Sequence, residues 1–412
     1  MNSIYYPKSK YDLSSLKNMN VISELEKILD LLVKVIPKND LISIYLIGST
    51  ARNEISLINN ELGIDILGDY EFVIVTNGIL SPWKSKLQIE LSKLGESFGL
   101  RSPLFDIDYG LVPLQKLKLI PPSLWSFEFV ERGLLLFGRE VRSNVPSVNV
   151  TNIDLGNLRW IIVVRLWSYL KNLRLVYREL SNDDEISRHK RLLVARNLLD
   201  IPTILLPHFD ILISGYSSRN KYLEALPHDM LAKIGGISIF NEALHVKLNP
   251  EYEPSVIDLH QGILIESYME LLRIISPKLS WDGDPSSLTR YIKLCKRHNI
   301  FKLSFLKEVR MQHNTLIYFF KLLRAIGFFK ALYWLFSSTR YNFFGFLIAF
   351  YTADNKKDKE EASVFLSIAI AYLSSASGEI IEIDSNSFSE RQNAISDVAY
   401  AFMKSWYERN RG

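Results

Sequence analysis

Cysteine is all but missing from this chain: among 412 residues Cys295 is the single one, so neither an internal disulfide nor a cysteine-built zinc or iron-sulfur site can form within one copy. That usage suits a reducing compartment and a buried, inert thiol. Histidine is also scarce, with seven residues at positions 189, 208, 228, 245, 260, 298 and 313 and no two at the His-x-x-x-His spacing of a helical metal site. There is no Gly-x-Gly-x-x-Gly, no P-loop and no Gly-x-Ser-x-Gly, which argues against dinucleotide enzymes, P-loop NTPases and serine hydrolases. Fixed-period repeats and low-complexity tracts are missing too, and solenoids go with them. The polar stretch Met1 to Asp12 lacks the apolar core of a secretory signal, so a cytoplasmic protein is expected.

Long apolar runs are equally absent. The nearest approach to a membrane span, Thr315 to Tyr351, is cut by Lys321, Arg324, Lys330 and Arg340 into pieces shorter than the roughly 20 residues a spanning helix needs. It reads as aromatic-rich core helices, with membrane-surface contact as the lesser alternative. Charge of one sign is in small excess: 49 Lys and Arg against 45 Asp and Glu give +4, too mild to signal a dedicated nucleic-acid partner.

What the chain does have is apolar material, 48% of its residues against 23% charged, enough for sizeable cores. At roughly 150 residues per domain the length favours two or three. Val21, Leu25, Ile28, Leu29, Leu32 and Ile36 recur at helical spacing before Pro37. Leu41 to Ile47 is a β-branched and aromatic run that ends at Gly48-Ser49, the pattern of a buried strand entering a tight loop. Tyr70 to Val75 forms a second such run, a helix follows from about Pro82 to Phe98, and Leu104 to Val112 reads as a third strand. Beyond Arg139 strand alternation nearly vanishes, and Asn157 to Leu175 and Ser187 to Leu199 read as helices. The expected class is α+β: a small mixed-sheet domain over residues 1–140, then a large, mainly helical domain over 141–412, with room for two subdomains.

The chemistry sits on the strands. Asp69 and Glu71 are two apart, so both carboxylates project from one face of a strand, and Asp106 and Asp108 do the same on the next. Carboxylates gathered at the end of an apolar sheet repel one another, and a bound divalent cation explains them best. Two magnesium ions about 4 Å apart can activate an attacking hydroxyl and stabilise a leaving oxygen. Gly48, Ser49 and Thr50 supply a turn whose backbone can approach a phosphate closely and whose hydroxyls and amides can face the anion.

Together, Leu46-Ile47-Gly48-Ser49, Asp69-Tyr70-Glu71-Phe72 and the acidic strand Phe105 to Pro113 resemble the DNA polymerase beta-like nucleotidyltransferase superfamily in its minimal or small-molecule form, over about residues 20 to 140. The resemblance implies that Asp69 and Glu71 ligate both metals, and that a third carboxylate completes the site and activates the acceptor. Its distance to the Leu-Val-Pro that ends the strand favours Asp108 over Asp106. Gly48 and Ser49 would hold the phosphates. Lys190 or Arg191 from the helical part, or Arg52 beside the turn, would reach the triphosphate. Phe127 to Arg139 resembles the closing strand of such a domain.

One spacing departs from the pattern. Nineteen residues, 50 to 68, separate Ser49 from Asp69, against roughly 9 to 13 in the signature. A longer helix and loop over 53–67 is the expected content, with Asp65 as a competing carboxylate. The resulting expectation is a magnesium-dependent enzyme moving an NMP group from an NTP such as ATP to an acceptor hydroxyl with release of pyrophosphate; the alternative is an inactive nucleotide-binding or interaction protein on the same fold. The partners expected are a nucleoside triphosphate and an acceptor whose identity the residues do not give.

Overall fold

The computed structural model describes residues 11–60, 63–78, 82–98, 102–254, 261–301, 316, 319–320, 322–324, 339–383 and 387–406. These divide into two units. The first comprises Met1–Ile153 together with Leu212–Ser218 and His245–Glu253; the second comprises Asp154–Ile211, Arg219–Leu244 and Pro254–Gly412.

In the first unit the helical spacing becomes α1, Met19–Val35, capped by the Asn18 side chain, which accepts from the amides of Asn20 and Val21. Strand β1, Leu41–Ile47, follows and runs into the one-turn helix α2, Gly48–Ala51. Segment 50–68 is not the expected helix and loop. After α2 it forms a hairpin of β2, Leu57–Asn60, and β3, Gly63–Ile66, in which Leu57 pairs with Ile66. Ile64 and Ile66 are buried with Asp65 between them, so a period of two governs the segment.

Then come β4, Asp69–Thr76, α3, Lys84–Ser97, β5, Asp106–Pro113, α4, Leu124–Arg132, and β6, Leu134–Gly138. The four-stranded sheet has the order β5-β4-β1-β6. β1 is antiparallel to both β4 and β6, whereas β4 and β5 run parallel. The sheet is therefore mixed. Among the described residues β6 is the last strand.

Alternation along the strands gives the sheet two different faces. Ile44, Leu46, Tyr70, Phe72 and Ile74 point into a core with Leu25, Ile28, Leu29 and Leu32 of α1 and Leu87 and Leu91 of α3. Tyr70 also donates to Glu24 of α1 at 2.9 Å, which satisfies its buried hydroxyl. Tyr45, Val73 and Val75 point the other way, into a smaller cluster with Leu117 and with Phe129 of α4. Phe129 meets the Tyr45 ring edge-on at 5.1 Å.

The second unit is helical. Its long helix α5, Leu155–Glu179, is capped by Asp154 and buries Trp160, Trp167 and Tyr169. It packs on α6, Asp183–Leu198, which Asn182 caps and which runs on through the short α7, Asp200–Leu205. The stretch Asp183–Phe209 is, among the described residues, the one helix long and apolar enough to cross a membrane, and 83% of its apolar window is buried inside the protein.

Helices α8, Tyr216–Leu223, α9, His228–Lys233, α10, Gly236–Leu248, α11, Gln261–Ile275, and α12, Pro285–Arg297, come next, with the start of α8 and the end of α10 counted in the first unit. The last three are α13, Thr339–Asn355, α14, Lys359–Ser377, and α15, Phe388–Trp406. Within α13, Phe343, Phe344, Phe346 and Phe350 are buried, so this end of the aromatic-rich segment is a core helix. Most of residues 315–338 lie outside the described residues.

Candidate functional site

Parallel pairing puts the acidic residues side by side. In the β4–β5 register Asp69 stands opposite Asp106 and Glu71 opposite Asp108, so all four share one face of the sheet. It is the face of Tyr45 and Val73, beyond the end of the smaller apolar cluster. Asp69 and Glu71, on the inner strand, are half-buried; Asp106 and Asp108, on the edge, are exposed.

On the other side of Glu71 lies Ile47 of β1, its antiparallel partner, and the next residue is Gly48. Gly48 sits at φ +73°, and a side chain there would begin on top of the Glu71 carboxylate. Glycine is demanded twice, by backbone conformation and by the space Glu71 fills. Thr50 is buried and donates to the Asp69 carbonyl at 3.4 Å, tying the turn to the start of β4. The Ser49 carbonyl accepts from the Glu54 amide at 2.8 Å. Gly48, Ser49, Asp69, Glu71, Asp106 and Asp108 are thus brought to one end of one sheet.

Within that group Asp106 and Asp108 are not equivalent. Asp106 turns an oxygen back onto the Ile107 amide at 2.8 Å. The charge of Asp108 is felt by Tyr109, whose phenol is pushed up by burial first and by that carboxylate second. Among the described residues no three His, Cys, Asp or Glu side chains close around a common point, so the carboxylates form an open row. Carboxylate oxygens are hard donors, of the kind that suit magnesium or calcium better than zinc, but in this arrangement they do not converge on one point. The competing carboxylate, Asp65, accepts from the Ser102 amide at 2.8 Å.

Arg52 is placed differently from the carboxylates. Its Nε donates to Glu54 at 2.9 Å, its Nη1 donates to Glu128 of α4 at 3.0 Å, and its guanidinium lies 5.5 Å from the centre of the Tyr216 ring. Burial alone would raise the Glu54 carboxyl. The Arg52 charge and the amides of Ser217 and Tyr216 outweigh that and hold it below the usual range. Ser214 donates to Glu128. The result is a buried clasp that fixes segment 212–218 beside the Gly48 turn. A second buried pair joins Lys247, whose Nζ donates to the Ser56 hydroxyl at 2.8 Å while Ser56 donates to the Lys247 carbonyl.

Lys190 belongs to the second unit, on α6. Its ammonium is 5.7 Å from the centre of the Tyr177 ring, and it faces Asp354, whose carboxyl burial raises against the opposing pull of Gln392 and Lys190. Glu128, Ser214, Tyr216 and Lys247 carry no local sequence signal.

Compared with known proteins, the chain matches no protein-family model and no curated sequence.

Proposed function

We propose that the chain is a metal-dependent nucleotidyltransferase and that its first unit is a polymerase beta-like nucleotidyltransferase fold. The observation that carries the reading is the register of β4 and β5, which aligns Asp69 and Glu71 with Asp106 and Asp108 on one face next to the Gly48 turn. In this reading Asp69, Glu71 and Asp108 hold magnesium, which supplies Lewis-acid stabilisation of phosphate oxygens when bound. Gly48 and Ser49 present backbone and hydroxyl to the triphosphate of ATP or another NTP.

The acceptor oxygen forms a bond to the α-phosphorus, the bond from that phosphorus to the bridging oxygen breaks, and pyrophosphate carries away the bonding electrons. Asp108 takes the proton of the acceptor hydroxyl. Its position opposite Glu71 and the engagement of Asp106 with its own neighbour support Asp108 for this role. The charge of Arg52 is spent on Glu54 and Glu128, so it acts by holding the turn. The near-absence of cysteine accords with a cytoplasmic enzyme.

A second reading, a nucleotide-binding protein without turnover, draws on the open arrangement of the carboxylates. One experiment separates the two. The protein is incubated with each α-labelled NTP and magnesium, and pyrophosphate release is measured beside an Asp69→Ala, Glu71→Ala variant. Release that needs both carboxylates supports transfer; magnesium-dependent nucleotide binding with no release under any NTP supports the second reading.

A further inference from the structure

A cleft of about 270 Å³ opens into the helical part, and every residue that lines it belongs to the second unit. Its size lies just under the roughly 300 Å³ at which ligand pockets begin, so it suits a small molecule.

Helix α11 supplies much of the lining. Glu266, Met269, Glu270 and Arg273 recur at steps of three and four, which puts them along one side of that helix. Leu279, Trp281 and Tyr291 add apolar surface, and Lys233 joins from the end of α9. Leu279 and Tyr291 are buried, whereas Trp281 is half-buried and firmly held. Its Nε1 donates to the Asp284 carbonyl at 3.0 Å, and the rings of Tyr291 and of Phe365 on α14 are centred 6.3 and 6.2 Å away. With its polar atom already bonded, Trp281 offers a ligand only its ring.

The four charged side chains of the cleft differ in what they have left to give. Glu270 accepts from Arg273 three residues on, so that pair neutralises itself. Glu266 is exposed and takes a long hydrogen bond, 3.3 Å, from the uncharged Asn355 amide. Lys233 is exposed and has no ion pair among the described residues. One carboxylate and one ammonium with uncommitted charge therefore share a cleft whose other surfaces are aromatic and aliphatic.

We infer that this cleft is a binding site for a free apolar amino acid. The ligand carboxylate meets Lys233, its ammonium meets Glu266, and its side chain lies against Trp281, Met269 and Leu279. Ligands of a single charge fit less well, because an organic cation would face Lys233 and an anion would face Glu266. A sugar ring would stack on Trp281 but leave both charges unanswered. The inference rests on the second unit alone and is independent of the proposed catalytic function.

The test is equilibrium dialysis of the full chain against labelled L-leucine, L-methionine, L-phenylalanine and L-tryptophan, each beside the amine and the acid that lack one of its two charged groups. Saturable binding is expected for at least one amino acid. Its amine and its acid should each bind about tenfold more weakly or worse, the usual effect of losing a hydrogen bond between charged groups. Lys233→Gln and Glu266→Gln, both at exposed positions, should each weaken binding by a similar factor. Lys233→Gln should also narrow the gap between amino acid and amine, and Glu266→Gln the gap between amino acid and acid, which a merely structural role would not do. Trp281→Ala is expected to abolish binding, with circular dichroism checking that the fold is kept; where it is not, the two surface variants decide. Binding of none of the four amino acids overturns the inference. So does an amine or acid that binds as well as its amino acid, binding untouched by both Lys233→Gln and Glu266→Gln, or binding of glucose in place of every amino acid.

Discussion

The carboxylate of Glu71 occupies the place where a side chain on Gly48 would begin. One residue carries a charge of the proposed site, the other has nothing beyond its Cα, and the strand pairing of Ile47 with Glu71 brings them together. Gly48→Ala is therefore expected to do two things at once. It strains a backbone at φ +73°, costing about 1–2 kcal/mol, and it pushes Glu71 out of the row. Thermal unfolding should register the first effect, and loss of magnesium-dependent nucleotide binding the second. A variant that keeps full binding would detach Gly48 from the site.

Asp69→Asn and Glu71→Gln preserve shape while removing charge. Each is expected to leave the unfolding midpoint nearly unchanged and to lower pyrophosphate release on the order of a thousandfold, the equivalent of several kcal/mol of electrostatic stabilisation. The two edge-strand carboxylates should part company: Asp108→Asn abolishes release, and Asp106→Asn spares most of it. The reverse outcome would reassign the base.

Arg52→Ala leaves Glu54 and Glu128 buried near each other without their shared cation. A loss of about 3–5 kcal/mol is expected in urea unfolding, because an uncompensated buried charge costs more than the pair contributes. Arg52→Lys recovers little, since an ammonium cannot reproduce the two-pronged geometry. Adding Glu128→Gln to Arg52→Ala should return part of the loss, and strictly additive effects would show that the two residues are not coupled.

Acid stability follows from depressed carboxyls. Hydrogen bonds from the Arg142 side chain are the chief cause that holds Glu140 down to about 2 from an ordinary 4.5. A carboxyl lowered in the folded state adds stability that is present above its unfolded value and lost as pH falls through its folded value. Urea midpoints should thus decline from about pH 5 towards pH 2, with Glu54 contributing in the same direction. Glu140→Gln should make that decline shallower.

The sheet was readable because its strands are apolar and short. The run Leu41 to Ile47 is β1 residue for residue, and the run read from Tyr70 to Val75 became β4 with one residue added at each end. Segment 50–68 was misread because its strands are only four residues each, too brief for a period of two to stand out against a helical pattern. The carboxylates were legible by local alternation, whereas their register across β4 and β5 was not. The Arg52 clasp was invisible for a different reason: Glu128 and Tyr216 lie 76 and 164 residues away along the chain, and no local period links such distances.

The first unit is assembled from separate stretches of chain, so it cannot be complete when residue 153 leaves the ribosome. Until Tyr216 and Ser217 arrive, Glu54 lacks two of its amide donors, and until Lys247 arrives, Ser56 lacks its partner. Synthesis order therefore delays the finished site behind nearly a hundred residues of helical chain. A fragment ending at residue 153 should behave as an unfinished protein, prone to aggregate and rescued by extension beyond residue 253.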